Sequence, residues 1–381
     1  NKRYGKTFLR RPKESPKAST IACHKITGIV VAVLLVIGIV FAVIFIKIID
    51  SSNGPVEDYD KRVEIWNTVA GNCSRSKLDD MNINYNRKSL GLQTIKFIGA
   101  IVGDEYKDQE QTLDTFTYLH EIKGGHEKET YEDQPYIIPY LVPNSKGAVI
   151  VIPGGGFAYK SMDGSTNEGK DIALELNEAG YCAFVLHYRS NPYEYPIPQL
   201  DVQRSVRYLR YHADEFGFDS DKIGMIGFSA GGNQVGTYIN LIMGNNLFPE
   251  DYIPDEIDEV DDTIVAPAMI YPALTYEHNV PMLFSMFDDE SVRNESTRKE
   301  LLDRMDLKQH INTAVMNQFI SYGTKDGMVG MDGAIAYIDS ARNNGVSVTV
   351  AVAEGEDHGY KFECYKEAYL DWLKEVFGEI Q

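Results

Sequence analysis

The stretch that most constrains this chain is 222–232, KIGMIGFSAGG. Ile223, Met225 and Ile226 make a short apolar run of the kind that forms a buried strand. Gly227-Phe228-Ser229-Ala230-Gly231 then fits G-x-S-x-G. That pattern sets a serine on a tight strand-to-helix turn, with its hydroxyl standing above a sheet. Both glycines are needed because the turn is strained and a Cβ at either would meet neighbouring backbone. Surface turns in unrelated chains also contain these five residues, so the reading depends on whether other stretches agree.

They do, first at the level of fold. Residues 147–152 (GAVIVI) are a continuous apolar run bounded by Gly and Pro, as in a strand buried on both faces. Further strands are predicted at 181–187, 263–271, 318–322 and 346–353, with helices at 167–178, 198–216, 233–243, 333–343 and 361–376. In 198–216, Val202, Val206, Leu209, Ala213 and Phe216 recur at helical spacing and mark one apolar face. Arg204, Arg207 and Arg210 mark another, read as a solvated or salt-bridged surface. Strands alternating with helices imply a mostly parallel doubly wound sheet. The β-rich runs 94–102, 115–122 and 136–142 have no helices between them and are expected as an antiparallel N-terminal edge. The acidic, Pro-containing stretch 244–262 reads as a surface loop, and 276–317 as a candidate lid with a helix near 294–307.

Charge divides the chain differently. Residues 1–25 hold eight Lys and Arg against one acid, Glu14, a net of +7, so the remainder carries −26 of the total −19. So acidic a body repels phosphate backbones and excludes nucleic acid as a partner. Residues 26–46 are twenty-one residues without a charge, rich in Ile and Val. A bilayer core of ~30 Å needs about 20 such residues in a helix. The run is longer than a signal-peptide core and is followed by no small-x-small site. The expected organisation is a basic cytoplasmic tail at 1–25, a transmembrane signal anchor at 26–49, a linker at 50–91 and a folded domain at 92–381 outside the cytoplasm. The positive-inside rule supplies that orientation. Val63, Ile65, Trp66 and Val69 suggest a short helix within the linker. The four cysteines, Cys23, Cys73, Cys182 and Cys364, have neither C-x-x-C nor metal spacing, and a Cys73–Cys364 bridge stays open.

The chemistry is expected at the carboxyl ends of the strands. After strand 147–152 comes Pro153-Gly154-Gly155-Gly156-Phe157. Its backbone can approach a ligand closely and aim N–H groups where negative charge develops on a tetrahedral intermediate. Gly155, Gly156 and the N–H of Ala230 are the candidate oxyanion donors. The phosphate-loop pattern G-x-x-x-x-G-K-[ST] is absent. Ser229 is the candidate nucleophile. A serine hydroxyl needs a base to take its proton, and an imidazole needs a carboxylate to fix its tautomer. Of eight histidines, only His358 stands on a glycine-flanked loop after a late strand; His187 precedes the nucleophile and reads as structural. Asp326 follows strand 318–322 and is chosen as the acid by position and chain order. Its rivals are Asp357, which abuts the histidine in sequence, and Asp332, which reads as a helix cap. No cofactor or metal is expected.

Six stretches in order carry a resemblance: PGGGFAYKS, the NEG to LHYR run, YPIPQLDVQRSVRYLR, DKIGMIGFSAGGN, GTKDGMV and GEDHGY. Through them, residues 130–381 resemble the α/β-hydrolase esterase/lipase superfamily, most closely its bacterial acetyl-esterase and xylan-esterase branch with the feruloyl-esterase-like domains. The resemblance implies an α/β-hydrolase fold and metal-free hydrolysis of carboxylic esters. It assigns Ser229, Asp326 and His358 as the triad. Asn233 stands where the family usually has His, and Pro153 where the hormone-sensitive-lipase branch has His. Short acyl esters on carbohydrate are the expected substrates. A peptidase or longer-chain lipase of the same fold, and a catalytically silent binding module, are the alternatives. Phe157, Tyr159, Tyr188, Tyr193, Tyr195 and Tyr360 lie near the loops, either to stack on a sugar face or simply to pack.

Overall fold

The computed structural model describes residues 58–71, 134–157, 168–189, 193–276, 282–283 and 286–378, with 33, 35, 36 and 38–43 nearer the N-terminus. Contacts divide the chain into two units, Asn1–Gly54 and Pro55–Gln381. In the first, the described residues are helical and exposed. No helix among the described residues is long and apolar enough to cross a membrane. Most of the expected span 26–49 lies outside the described residues, as do Cys73 and the expected strands 94–102 and 115–122. Cys182 and Cys364 are free thiols.

The second unit is built on an eight-stranded sheet. In chain order the strands are β1 (Val63–Glu64), β2 (Tyr136–Tyr140), β3 (Ala148–Ile152), β4 (Cys182–His187), β5 (Ile223–Phe228), β6 (Ala266–Ile270), β7 (Asn317–Gly323) and β8 (Ser347–Ala353). Their order across the sheet is β1-β2-β4-β3-β5-β6-β7-β8. The β1–β2 and β2–β4 pairs are antiparallel and the rest parallel. The helices are α1 (Lys170–Ala179), α2 (Ile197–Tyr211), α3 (Ala213–Phe216), α4 (Ala230–Thr237), α5 (Asp289–Arg293), α6 (Glu295–Met305), α7 (Asp332–Asn343) and α8 (Lys366–Val376).

Strands β3 to β6 read as unbroken apolar runs because helices cover both faces. Successive side chains point to opposite faces. Val149, Val151, Ala183, Val185, Ile226 and Phe228 pack with Ile172 and Leu176 of α1 and Trp372 and Leu373 of α8. Their neighbours Ile150, Ile152, Phe184, Leu186 and Met225 pack with Val202, Val206 and Leu209 of α2, Val235 of α4 and Ile338 of α7.

Three expectations change. Residues 63–69 form no helix: Val63 and Glu64 pair with Ile137 and Tyr136 as the edge strand. Ile65 and Trp66 are buried beside it, so 58–71 belongs to the packed domain rather than to a linker. Helix α4 starts at Ala230, directly after Ser229, not at 233, and passes into a π-helical turn at Tyr238–Ile242. Gly231 and Gly232 hid that start, because glycine is a poor helix former. Of the two readings of the arginine face of α2, the salt-bridged one holds and the solvated one does not. Arg204 is 1% exposed, its guanidinium bonded to Asp255 (2.6 Å), Asp258 (2.8 Å) and the Ile65 carbonyl (2.7 Å). Arg207 and Arg210 meet Asp262 and Asp261. The acidic segment 244–262 therefore covers that face with matched charge.

The Arg204 hydrogen bond holds the Asp255 carboxyl at about 2; burial opposes this, and the Arg204 charge and the Asn67 amide reinforce it. A depressed native value means the unfolded chain, with Asp near 3.9, binds more protons between the two values. The stabilisation is therefore full above pH ~5 and is lost as pH falls through ~4 toward 2. In urea titrations at pH 7, 4 and 2.5, the stability gap between the parent and Asp255→Asn should shrink with each step down. A gap independent of pH contradicts this linkage.

Candidate active site

Ser229 sits between β5 and α4 with φ 51° and ψ −114°. A non-glycine residue holds such a conformation only when its surroundings over-determine it. Here the Ser229 N–H donates to the Ile270 carbonyl of β6 (2.9 Å), and its own carbonyl accepts from Asn233 N–H (3.0 Å). Glycines let the chain turn this tightly. A Cβ on Gly231 would strike the Ile152 carbonyl oxygen, and one on Gly232 would sit 2.7 Å from Pro272. Asn233, fully buried, donates to the Ala273 carbonyl (2.7 Å) and accepts from the Tyr276 hydroxyl (3.1 Å). It pins the segment after β6 behind the serine.

Asp326 and His358 stand on the loops that follow β7 and β8, parallel neighbours in the sheet. His358 Nε2 lies 2.9 Å from Ser229 Oγ, and its Nδ1 lies 2.8 Å from Asp326 Oδ2. An ionised carboxylate only accepts, so Nδ1 carries a proton, and Nε2 faces the serine hydroxyl, from which it accepts whenever the ring is neutral. Asp326 Oδ1 accepts from Met328 N–H (3.0 Å) and Val329 N–H (2.8 Å). Burial works against its ionisation, but the His358 hydrogen bond and charge, with those two N–H groups, outweigh burial and hold the carboxyl below its ordinary value. The structure thus brings together three residues that are 97 and 32 positions apart in sequence.

The rival acids take other places. Asp357 Oδ1 accepts from Gly327 N–H (3.0 Å) and His358 N–H (2.7 Å), so it ties the two loops through backbone and leaves the ring to Asp326. Asp332 begins α7, and no side chain caps that helix. His187 is buried and stacked on Tyr136 at 4.5 Å.

The glycine loop after β3 lies against the serine. A Cβ on Gly154 would be 3.0 Å from Ser229 Cβ and 2.7 Å from the Phe228 carbonyl oxygen. Gly155 and Gly156 have φ of 124° and 64°. Ala230 is the first residue of α4, where a helix has no acceptor of its own for the N–H. Two residues without a role in the sequence reading complete the surroundings. Glu168 accepts from Gly154 N–H (3.0 Å) and from the Tyr271 hydroxyl (3.0 Å). The Tyr271 ring meets the His358 ring edge-on at 4.9 Å. Of the aromatic residues near the loops, Phe157, Tyr188, Tyr193 and Tyr360 are buried packing, and Tyr159 lies outside the described residues. No group of three or more His, Cys, Asp or Glu suited to a metal occurs among the described residues.

Sheet order, the serine turn and the joined Ser–His–Asp side chains define an α/β-hydrolase fold. Within it, residues 139–246 match the model of the BD-FAE family. The chain is 24% identical over 252 residues to an acetylxylan esterase of Xylanibacter ruminicola, covering 63% of this chain and 48% of that protein. It therefore spans about half the length of this curated relative. Among solved structures, it is similar in fold to an acetyl ester-xyloside bifunctional hydrolase from Caldicellulosiruptor lactoaceticus, with TM-score 0.53 and 23% identity over 65% of this chain and 87% of that one. A carboxylesterase of Lactobacillus plantarum superposes with TM-score 0.51 and 18% identity, over 64% and 93%.

The two carboxylates can be told apart by experiment. Asp326→Asn should lower turnover of p-nitrophenyl acetate by on the order of 10³–10⁴, as in triads that lose the carboxylate. Asp357→Asn keeps an oxygen able to accept the same two N–H groups and should stay near the parent rate. The reverse pattern would reassign the acid.

Proposed function

We propose that this chain is a serine carboxylesterase that removes short acyl groups, acetyl first, from carbohydrate. Residues 26–49 would anchor it in a membrane with the catalytic domain outside the cytoplasm. The observation that carries the chemical part is the unbroken relay from Ser229 Oγ through the His358 ring to Asp326. Ser229 Oγ attacks the ester carbonyl as His358 Nε2 takes its proton. The negative charge on the carbonyl oxygen is met by N–H groups of Gly155, Gly156 and Ala230. Collapse expels the alcohol, which receives the proton from His358. A water, deprotonated by the same nitrogen, then releases the acid and restores Ser229. Asp326 stays ionised throughout and stabilises the imidazolium.

Substrate class rests on two supports. The similar Xylanibacter ruminicola protein is named an acetylxylan esterase. The segment 276–317 makes a poor interfacial lid, since a lipase meets its substrate with a broad apolar surface. Here Asp288, Glu290, Arg293, Glu295, Lys299 and Glu300 are exposed, and Leu301 and Met305 are turned into the core. The −26 body disfavours polyanionic substrates. The anchor rests on twenty-one uncharged residues preceded by a +7 segment.

A chain-length series of p-nitrophenyl esters beside acetylated xylan and acetylated oligosaccharides tests the assignment. The highest kcat/KM should fall on acetyl, with acetate released from the sugars. A maximum at eight or more carbons with no acetate released would make the protein a lipase instead. Protease added to intact cells should digest residues 50–381 and spare the tail. A soluble mature chain beginning near Ser51 would contradict anchoring.

A further inference from the structure

We propose that Glu168 is a positioning residue that fixes the glycine loop over Ser229 and, through Tyr271, the ring of His358. The proposal rests on the ester-hydrolase reading above. Glu168 is 6% exposed, and its two oxygens reach parts of the chain that are otherwise separate. Oε2 accepts from Gly154 N–H, 14 residues away and immediately before Gly155; Oε1 accepts from the Tyr271 hydroxyl, 103 residues away.

Tyr271 follows β6 directly, in a left-handed conformation with φ 35°, and its N–H donates to the Ser321 carbonyl of β7 (2.7 Å). Its ring sits against His358 and, at 4.9 Å, against Tyr360, whose hydroxyl meets Ser321 Oγ at 2.7 Å. One carboxylate thus links the loops after β3 and β6, and by ring contact the loop after β8. Burial, then the Glu168 charge, push the Tyr271 phenol well above its ordinary value, so it remains a donor to Glu168 at any working pH.

The chemistry makes such a tie necessary. Gly154, Gly155 and Gly156 have the largest backbone freedom of any residues. Oxyanion donors contribute only if they already stand where charge develops. A loop free to shift would bind substrate nearly as well and stabilise the transition state much less. The loss should therefore appear in kcat and not in KM.

The experiment compares the full chain with Glu168→Ala, Glu168→Gln and Tyr271→Phe, using p-nitrophenyl acetate kinetics per titrated active site, the rate of Ser229 phosphonylation by a fluorophosphonate, and melting temperature. Glu168→Ala should lose about 10²-fold in kcat, near the cost of one oxyanion donor, with KM within about threefold. Glu168→Gln should recover to within about tenfold of the parent. Its carbonyl can accept from Gly154 N–H and its NH₂ can donate to the Tyr271 oxygen. Tyr271→Phe should lower kcat by about tenfold. A parent-like kcat per active site in Glu168→Ala overturns the proposal, whatever its melting temperature. If that variant does not fold, a parent-like kcat in Tyr271→Phe overturns it. If the parent hydrolyses no ester, the function proposed above has failed, and the phosphonylation rate reads Glu168 separately: slower labelling of Glu168→Ala supports the tie, and equal labelling removes it.

Discussion

The structure depends on a single strained turn. At Ser229 the chain leaves β5 and enters α4 through a backbone conformation that costs of order 1–3 kcal/mol for a side-chain-bearing residue. The hydrogen bond from Ser229 N–H to Ile270 holds it, and the parallel pairing of β5 with β6 puts that carbonyl in place. Glycine at 227, 231 and 232 lets α4 close onto the ends of β3 and β5 and onto Pro272. Once the serine is fixed, neighbouring strand ends decide what surrounds it. β3 delivers the glycine loop, β6 delivers Tyr271, β7 delivers Asp326 and β8 delivers His358. The parallel sheet brings all four to the same end, which is where open α/β sheets place their chemistry.

A network of buried ion pairs fastens the segments packed around α2. Arg189 and Asp201 are both fully buried and joined three times, by the guanidinium at 2.7 and 2.9 Å and by the Arg189 N–H at 2.8 Å. Arg189 also donates to the Ala70 carbonyl, and Trp66 to Asp201. Beside them Arg204 joins Ile65 to Asp255 and Asp258. Buried ions are tolerable only when every donor and acceptor is met, and removing one partner of such a pair costs about 3–5 kcal/mol. These arginines on and before α2 thus fasten both the early segment 58–71 and the acidic stretch after α4 to one helix.

What was legible in the sequence follows from how local each signal is. AVIVI, CAFVLH and IGMIGF read as central strands because strands buried on both faces need no alternation. Ser229, Asp326 and His358 were legible from strand ends and chain order, although the hydrogen bonds that join them run between distant loops. Val63 and Glu64 were misread because an edge strand of two residues has no period of its own. Arg204 and the acidic segment each read as surface, since nothing local in either reveals that they neutralise one another. Glu168 and Tyr271 were missed for the same reason. A carboxylate at the head of α1 and a phenol after β6 acquire a role only when the fold sets them 3.0 Å apart.

The central claim is that the turn at 229 presents an activated serine. Labelling the protein with a fluorophosphonate, then measuring intact mass and mapping the modified peptide, tests it most directly. One adduct per chain on Ser229, absent from Ser229→Ala and strongly slowed in His358→Ala, is the result predicted. An adduct on another residue, or ester hydrolysis undiminished in Ser229→Ala, would contradict it.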